Sequence, residues 1–284
     1  MPCSSSTALQ PSNLMVDTSV TVQAHVPLGN DQYRLVLQAT QPLPTLVAGQ
    51  FFMLSMPYAE GFLFRRPFSA FTLSEDGRGM TLVYKVVGEG TQALATAKVG
   101  DTLQLLTPLG QPFPSGCTAQ ETLLISGGIG VAPMMLQVQQ WQQQGQQGAG
   151  FLFGCRSQSE LALIQPEQDT LLTSLPTLIS TNDGSYGIHG TVLTILEQQP
   201  LSFFTPLKQV FVCGPTRMMQ ACTQWFETHY PAVTVYVSLE NHMPCGTGAC
   251  YGCVVEQNEN QPPVRVCLEG PVFPTKQLAG FYTN

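Results

Sequence analysis

Charge is what this chain of 284 residues has least of: Asp, Glu, Lys and Arg together make up only 10% of it. Basic residues are the scarcest, and eleven Lys and Arg against eighteen Asp and Glu leave a formal net charge of −7. With no basic cluster, the chain lacks the electrostatic footprint of a nucleic-acid binder. No apolar run approaches the ~20 residues that a membrane-spanning helix requires. Met1 to Asn13 lacks the basic-then-apolar order of a signal peptide, and the Ser/Pro-rich stretch 1–16 predicts a disordered tail. Cysteine, by contrast, is plentiful: there are nine, four of them gathered near the end, and such usage suits a reducing compartment. The expectation is a soluble cytoplasmic protein, long enough for two or three domains with ordinary cores.

The most informative stretch is Cys245-Gly246-Thr247-Gly248-Ala249-Cys250-Tyr251-Gly252-Cys253, completed by Cys267. The spacing C-x4-C-x2-C with a fourth, distant cysteine is close to the arrangement that holds a 2Fe-2S cluster. A loop wrapping such a cluster must bring backbone N–H groups to sulfur, and the glycines between the ligands permit those turns. Four thiolates suit zinc as well, but zinc ribbons pair two C-x2-C knuckles and only one is present. The expected metal ligands are therefore Cys245, Cys250, Cys253 and Cys267.

From residue 17 to 115 short alternating segments recur between turn signals: Val20–Val26, Tyr33–Leu37, Phe51–Ser55, Phe68–Leu73, Met80–Val87 and Thr102–Leu106. This rhythm predicts an antiparallel β-barrel. His25, alternating with apolar neighbours, reads as an outward strand residue. From 116 to 237 the pattern changes to strands alternating with helices. Thr122–Ser126, Phe151–Gly154, Thr177–Ser180, Gln209–Cys213 and Val233–Val237 read as strands, with helices through Gln143, over Thr191–Gln198 and over Thr216–Tyr230. That alternation predicts an α/β unit with a doubly wound parallel sheet. The Gln-rich run 137–147 reads as a solvated helix face. Residues 238–284 form a third, small cluster domain.

Two constellations point to nucleotide cofactors. Arg65 and Arg66 precede Pro67-Phe68-Ser69, and Val83-Tyr84-Lys85 is followed by Gly88-Glu89-Gly90-Thr91 at a helix start. An arginine fork beside a glycine turn can grip a diphosphate, although alone it reads equally well as surface charge and a hairpin. Gly127-Gly128-Ile129-Gly130 follows a strand and opens a helix with Pro133 in its first turn, which suits the diphosphate of a dinucleotide. Cys213-Gly214-Pro215 is a second strand-to-helix turn on the same sheet edge.

Taken in order, these seven motifs, including Asn182-Asp183-Gly184-Ser185, resemble the electron-transfer subunit of NAD-dependent (class 1B) dihydroorotate dehydrogenase, in the ferredoxin-reductase superfamily. The resemblance runs from about Asp17 to Phe273. It implies FAD bound by Arg66, Pro67, Phe68, Ser69, Val83, Tyr84, Lys85, Gly90 and Thr91, and NAD at Gly127, Gly128, Gly130, Asp183, Cys213 and Gly214. Phe68 departs from the aliphatic residue or tyrosine of relatives. The resemblance also implies a partner, an FMN-containing catalytic subunit that oxidises dihydroorotate in UMP synthesis, joined in a heterotetramer of two chains each. NAD takes a hydride and the cluster passes single electrons, so FAD must stand between them. The hydride step itself asks for no side chain as catalytic acid or base. Asp183 is expected to accept from a free ribose hydroxyl and repel a 2′-phosphate, although the composition of Asp183-Gly184 alone would equally justify a plain turn. Cys3, Cys117, Cys155 and Cys222 are read as ordinary thiols. Two alternatives stay open: a reductase subunit serving a hydrogenase or ferredoxin partner, and a zinc-stabilised nucleotide-binding module without electron transfer.

Overall fold

The computed structural model describes residues 14–56, 65–168, 170–173, 175–200, 206–258, 261–279 and 281. Most of the stretch read as a tail lies outside them, but its last residue does not: Val16 opens a strand and pairs with Thr107.

The first unit comprises β1 (Val16–Gly29), β2 (Gln32–Ala39), β3 (Phe51–Leu54), β4 (Arg66–Phe68), β5 (Thr72–Leu73), β6 (Gly79–Lys85) and β7 (Thr102–Leu109), with helix α1 (Glu89–Leu94) between the last two. They form one antiparallel sheet in the order β4-β3-β7-β1-β2-β6-β5. Its two edge strands are neighbours in sequence, three residues apart, so the sheet must curl until its edges nearly meet. The single strand expected over Phe68–Leu73 is therefore two, broken at Ser69–Phe71 where the chain crosses from one edge to the other. That crossing leaves the Arg66–Ser69 segment at an open edge of the sheet, where β4 has β3 as a partner on one side only.

The second unit contains β8 (Thr122–Gly127), α2 (Val131–Gln143), β9 (Gly150–Cys155), α3 (Gln165–Gln168), β10 (Thr177–Thr181), β11 (Ile188–His189), α4 (Val192–Gln198), β12 (Gln209–Cys213), α5 (Thr216–His229) and β13 (Thr234–Ser238). The sheet order is β11-β10-β9-β8-β12-β13, all parallel. Every residue of β8 and β12 is buried, as parallel strands covered by helices on both faces require. The winding reverses between β8 and β12, and open α/β sheets bind ligands at such a switch point, beyond the strand C-termini.

The last segment adds β14 (Val254–Val255), β15 (Val264–Arg265) and β16 (Val272–Pro274). The first two pair as a small ribbon around the cysteine loop, while β16 returns to pair antiparallel with β13 at the edge of the parallel sheet. The cluster segment is thus stitched into the nucleotide sheet.

The two larger units are joined by side chains that the sequence reading assigned to solvent. On α2, Gln140 accepts from Ala48 N–H (3.0 Å) and donates to Leu46 C=O (3.0 Å). Gln139 likewise accepts from Leu73 N–H (2.9 Å) and donates to Leu73 C=O (2.8 Å). The expectation of a purely solvated face over 137–147 is corrected here: two of these amides act as peptide surrogates, bonding barrel backbone that no strand partner reaches. Phe113 stacks on Phe211 of β12 at 4.3 Å and closes the seam.

Candidate functional site

Two cavities open between the units. The smaller, of about 310 Å³, lies against the barrel edge and is lined by Arg66, Pro67, Phe68, Ser69, Val83, Tyr84, Lys85 and Thr91. Eight of the nine residues expected to hold FAD therefore share one wall. The ninth, Gly90, lies beneath Arg66: a Cβ there would stand 2.7 Å from Arg66 Nε, so only glycine lets the guanidinium lie across the turn. Thr91 Oγ1 accepts from Gly88 N–H (3.2 Å) and Val87 N–H (2.9 Å), which shapes that turn. The arginine fork reduces to one arm. Arg65 makes a bidentate pair with Asp17 (2.7 and 2.9 Å) and faces the other way.

The aromatic side of this cavity is organised from β1. Tyr84 is buried, and its hydroxyl lies 2.8 Å from His25 Nε2. His25 Nδ1 lies 2.9 Å from Ala97 C=O, which can only accept, so Nδ1 carries the proton and Nε2 accepts from Tyr84 in the neutral ring. His25 is a half-buried residue with two partners and not the outward strand residue expected. Burial raises the Tyr84 pKa above its ordinary value of 10, with Tyr33 adding to the effect.

The larger cavity, of about 470 Å³, follows the C-terminal edge of the parallel sheet and is lined by Gly127, Gly128, Gly130, Gly214, Arg156, Asn182 and Arg217, among others. Gly130 and Cys213 explain the close approach of the two turns. A Cβ on Gly130 would stand 2.4 Å from the Cys213 carbonyl oxygen, backbone that has nowhere to go. Gln32 reaches this cavity from the barrel and is 2% exposed, yet its Oε1 has no hydrogen-bond partner. A buried orphan acceptor fits a ligand that donates there, as a dinucleotide's carboxamide or ribose hydroxyl does.

Two expected nucleotide contacts are placed differently. Asp183 Oδ1 accepts from the Ser185 N–H (3.0 Å) and hydroxyl (2.6 Å), an Asx turn that also holds its carboxyl below the usual value. It does not line the cavity, whereas its neighbour Asn182 does. Cys213 faces the smaller cavity instead of the larger one. Its thiol is pushed up to about 12, first by burial and then by the Glu240 carboxylate. Sequence reasoning overlooked Gln32 and Arg217, which carry no motif, and it took Cys117 for a thiol although it is disulfide-bonded.

The cysteine loop meets a direct chemical test. Each of the four sulfurs accepts one backbone N–H: Cys245 from Thr247 (3.5 Å), Cys250 from Gly252 (3.4 Å), Cys253 from Cys267 (3.4 Å) and Cys267 from Gly248 (3.2 Å). Gly248 holds φ +81°, the left-handed conformation that aims its N–H at sulfur. Amides directed at sulfur are the environment of iron–sulfur thiolates. Among the described residues no three metal-ligating side chains converge as for one ion. The cysteines lie instead as two pairs, Cys245 with Cys250 and Cys253 with Cys267, and a two-iron cluster takes its ligands two by two. Burial first, and then Cys253, push the Cys267 thiol up to about 12, so a thiolate there needs a cation beside it.

The three places are contiguous. Lys85, Ile129, Gly130 and Glu240 line both cavities. Met243, two residues before the first cysteine, lines the smaller cavity together with Phe51 of β3. Gly246 of the cysteine loop lies so close to β3 that a Cβ would stand 2.7 Å from Met53 Cγ.

Comparison with known proteins agrees with this division. Residues 240–279 match the family model of the iron-sulfur cluster binding domain of dihydroorotate dehydrogenase B. Residues 124–224 match the oxidoreductase NAD-binding domain and 19–113 the oxidoreductase FAD-binding domain. Among curated proteins the chain is similar to the dihydroorotate dehydrogenase B (NAD(+)) electron transfer subunits of Shouchella clausii and Bacillus pumilus. The first is 34% identical over 91% of this chain and 96% of the relative, the second 32% over 92% and 97%. Among solved structures, that of an NADH-dependent reduced ferredoxin-NADP oxidoreductase superposes with a TM-score of 0.76 at 24% identity, covering 91% of this chain and 89% of that one. Phthalate dioxygenase reductase follows the same fold with a TM-score of 0.64 at 18% identity, over 92% and 77%.

Proposed function

Because the chain belongs to the family of electron transfer subunits of NAD-dependent dihydroorotate dehydrogenase B, we propose that it carries electrons taken from dihydroorotate to NAD. The observation that carries this reading is the contiguity of the three sites: cysteine loop against β3, β3 against the smaller cavity, and one shared wall between the two cavities. When bound, FAD supplies the conversion between single electrons and a hydride, and the 2Fe-2S cluster supplies the single-electron relay.

The chain's own residues do the rest. Arg66, laid across Gly90, offers a planar donor fork for the flavin diphosphate. Phe68 and Tyr84 supply an aromatic wall, their rings edge to face at 6.1 Å. The Gly127–Gly130 turn at the start of α2 and the Gly214 turn at the start of α5 let a second diphosphate reach helix N-termini, with Arg156 and Arg217 on the same walls. Met243 and Phe51 exclude water between the cysteine loop and the flavin wall, which favours passage of electrons over side reactions. The four amide-to-sulfur bonds stabilise the more negative, reduced state of the loop's metal group.

The electron donor in this reading is a separate FMN-containing catalytic subunit, in a heterotetramer of two chains of each kind working in the cytoplasm. The exposed side of the cysteine loop supports a docking face there: Cys250 is exposed and Tyr251 is 65% accessible, with the Arg265 guanidinium 5.0 Å from its ring centre. No helix among the described residues is long and apolar enough to cross a membrane.

The test is to co-express the chain with an FMN-containing dihydroorotate dehydrogenase subunit and measure mass, flavin, iron and dihydroorotate-dependent NADH formation. A complex with FAD and about two irons per chain that reduces NAD is expected. A lone chain fully active towards dihydroorotate overturns the partner, and bound zinc without visible absorbance overturns electron transfer.

A further inference from the structure

We propose that Glu240 is the proton carrier of the flavin, giving nitrogen N5 the proton it needs when electrons arrive from the cluster and taking it back when they leave; this rests on the electron-transfer reading above. The requirement comes from balance. The cluster delivers electrons without protons, whereas NAD departs with a hydride, which is two electrons and a proton nucleus. In the forward direction, oxidised flavin, two electrons and one proton give the reduced flavin anion protonated at N5. That anion and NAD+ then give oxidised flavin and NADH. One proton must therefore reach N5 in each turnover, although the hydride step itself needs none. The Glu240 carboxyl gives it up, becomes a carboxylate, and is reprotonated from water.

Three observations place Glu240 in this role. It lies two residues beyond β13, at the C-terminal edge of the sheet, and lines both cavities, so it stands where the flavin and nicotinamide faces meet. It remains exposed to the cleft, which gives a route to solvent. Among the described residues its carboxyl has no hydrogen-bond partner or counter-charge offsetting the desolvation that raises its pKa, so it holds a proton more readily than an ordinary glutamate.

The other groups facing the flavin-side wall are less suited. Cys213, at the end of β12, holds its proton up to about 12. Tyr84 on β6 commits its hydroxyl to His25, and Lys85 beside it, with Arg66 on β4, supplies positive charge. On the nucleotide side stand Arg156, Arg217 and Glu160, and Glu160 is buried with an oxygen accepting from the Arg156 N–H at 3.0 Å.

The reverse reaction separates this role from simple nicotinamide binding. NADH brings its own proton nucleus to N5, so flavin reduction by NADH needs no protein acid, whereas onward passage of the electrons to the cluster must release that proton. The experiment is rapid-mixing spectroscopy on the intact complex with the catalytic subunit, comparing the parent with Glu240→Gln and Glu240→Asp. In Glu240→Gln, flavin reduction by NADH and the dissociation constant for NAD should stay within about threefold of the parent. The flavin-to-cluster step should slow by about a hundredfold and lose the pH dependence set by the carboxyl, while its solvent deuterium isotope effect persists because the proton then passes directly to water. Glu240→Asp, which keeps the acid, should recover much of that rate with its pH dependence. Weaker NAD binding or slow reduction by NADH, with a normal cluster-ward step, makes Glu240 a nicotinamide-positioning residue and overturns the proposal. An unchanged Glu240→Gln overturns it as well. If NADH fails to reduce the flavin of the parent complex, the electron-transfer reading itself fails, a result distinct from both.

Discussion

Cys253 and Cys267 are buried while Cys250 is exposed, so the four thiols of one loop span the full depth from core to surface. Removing either end tests whether all four are ligands. Cys250→Ser and Cys253→Ser should each abolish bound iron and the broad red absorbance while FAD stays bound, because the barrel draws no hydrogen bond from those sulfurs. Full iron content in either variant would remove that cysteine from the ligand set. A second prediction at this scale concerns Asp183, whose carboxylate is occupied by Ser185. Asp183→Ala should lower stability slightly through the lost turn bonds yet leave the ratio of specificity constants for NADH and NADPH nearly unchanged. A large swing towards NADPH would restore Asp183 as a ribose contact. The cations that face the nucleotide cavity are Arg156 and Arg217; reading only the end of the third strand passes over Arg217, which a helix start delivers from the far side of the sheet.

At the scale of elements, α2 does two jobs from opposite parts of its surface. Its N-terminal turn offers the dinucleotide approach, and Gln139 and Gln140 fasten the barrel through four backbone hydrogen bonds. Four bonds at a net ~1 kcal/mol each predict that the double variant Gln139→Ala, Gln140→Ala loses about 2–4 kcal/mol. The loss should localise: amide exchange should accelerate at Ala48 and Leu73 before it does in β8 or β12. Uniform acceleration, or none, would mean that packing such as Phe113 on Phe211 holds the seam instead. Since the flavin wall belongs to the barrel and the nucleotide turn to α2, the same variant should weaken NAD reduction more than FAD binding.

For the whole molecule, one contribution to the acid limb of stability is the solvent-screened pair of Glu121 and Lys208, which joins the starts of β8 and β12. The Lys208 ammonium and the Thr118 N–H (2.9 Å) hold the Glu121 carboxyl at about 2, below its ordinary 4.5. A depressed carboxyl pKa favours the folded state fully above the ordinary value, and that contribution is lost as pH falls towards the folded one. Stability should therefore drop between about pH 4.5 and 2, and Glu121→Gln should flatten that slope while lowering the plateau at neutral pH; denaturant midpoints across the range measure both. An unchanged slope would assign acid sensitivity to other carboxyls, such as Asp76 and Glu269, whose pKa values are also lowered.

The sequence by itself determined the order of units, the type of each sheet, and the four cysteine ligands proposed. Those are local properties: strand period, a glycine turn at a helix start, and a ligand spacing are written within a few consecutive residues. The residues of the smaller cavity were equally legible, since Arg66–Ser69 and Val83–Lys85 are short contiguous segments. Only the tertiary structure decided what meets across units, because such contacts depend on the curl of one sheet and the switch point of another, far apart in the chain. It turned Arg65 away onto Asp17, spent Asp183 on its own turn, put Gln139 and Gln140 on barrel backbone, and brought β16 back beside β13. The same folding carries Glu240, which no motif marks, to the wall shared by two cavities. Its place is set by where a buried parallel strand ends, and nothing in the neighbouring residues specifies which cavities lie beyond that end.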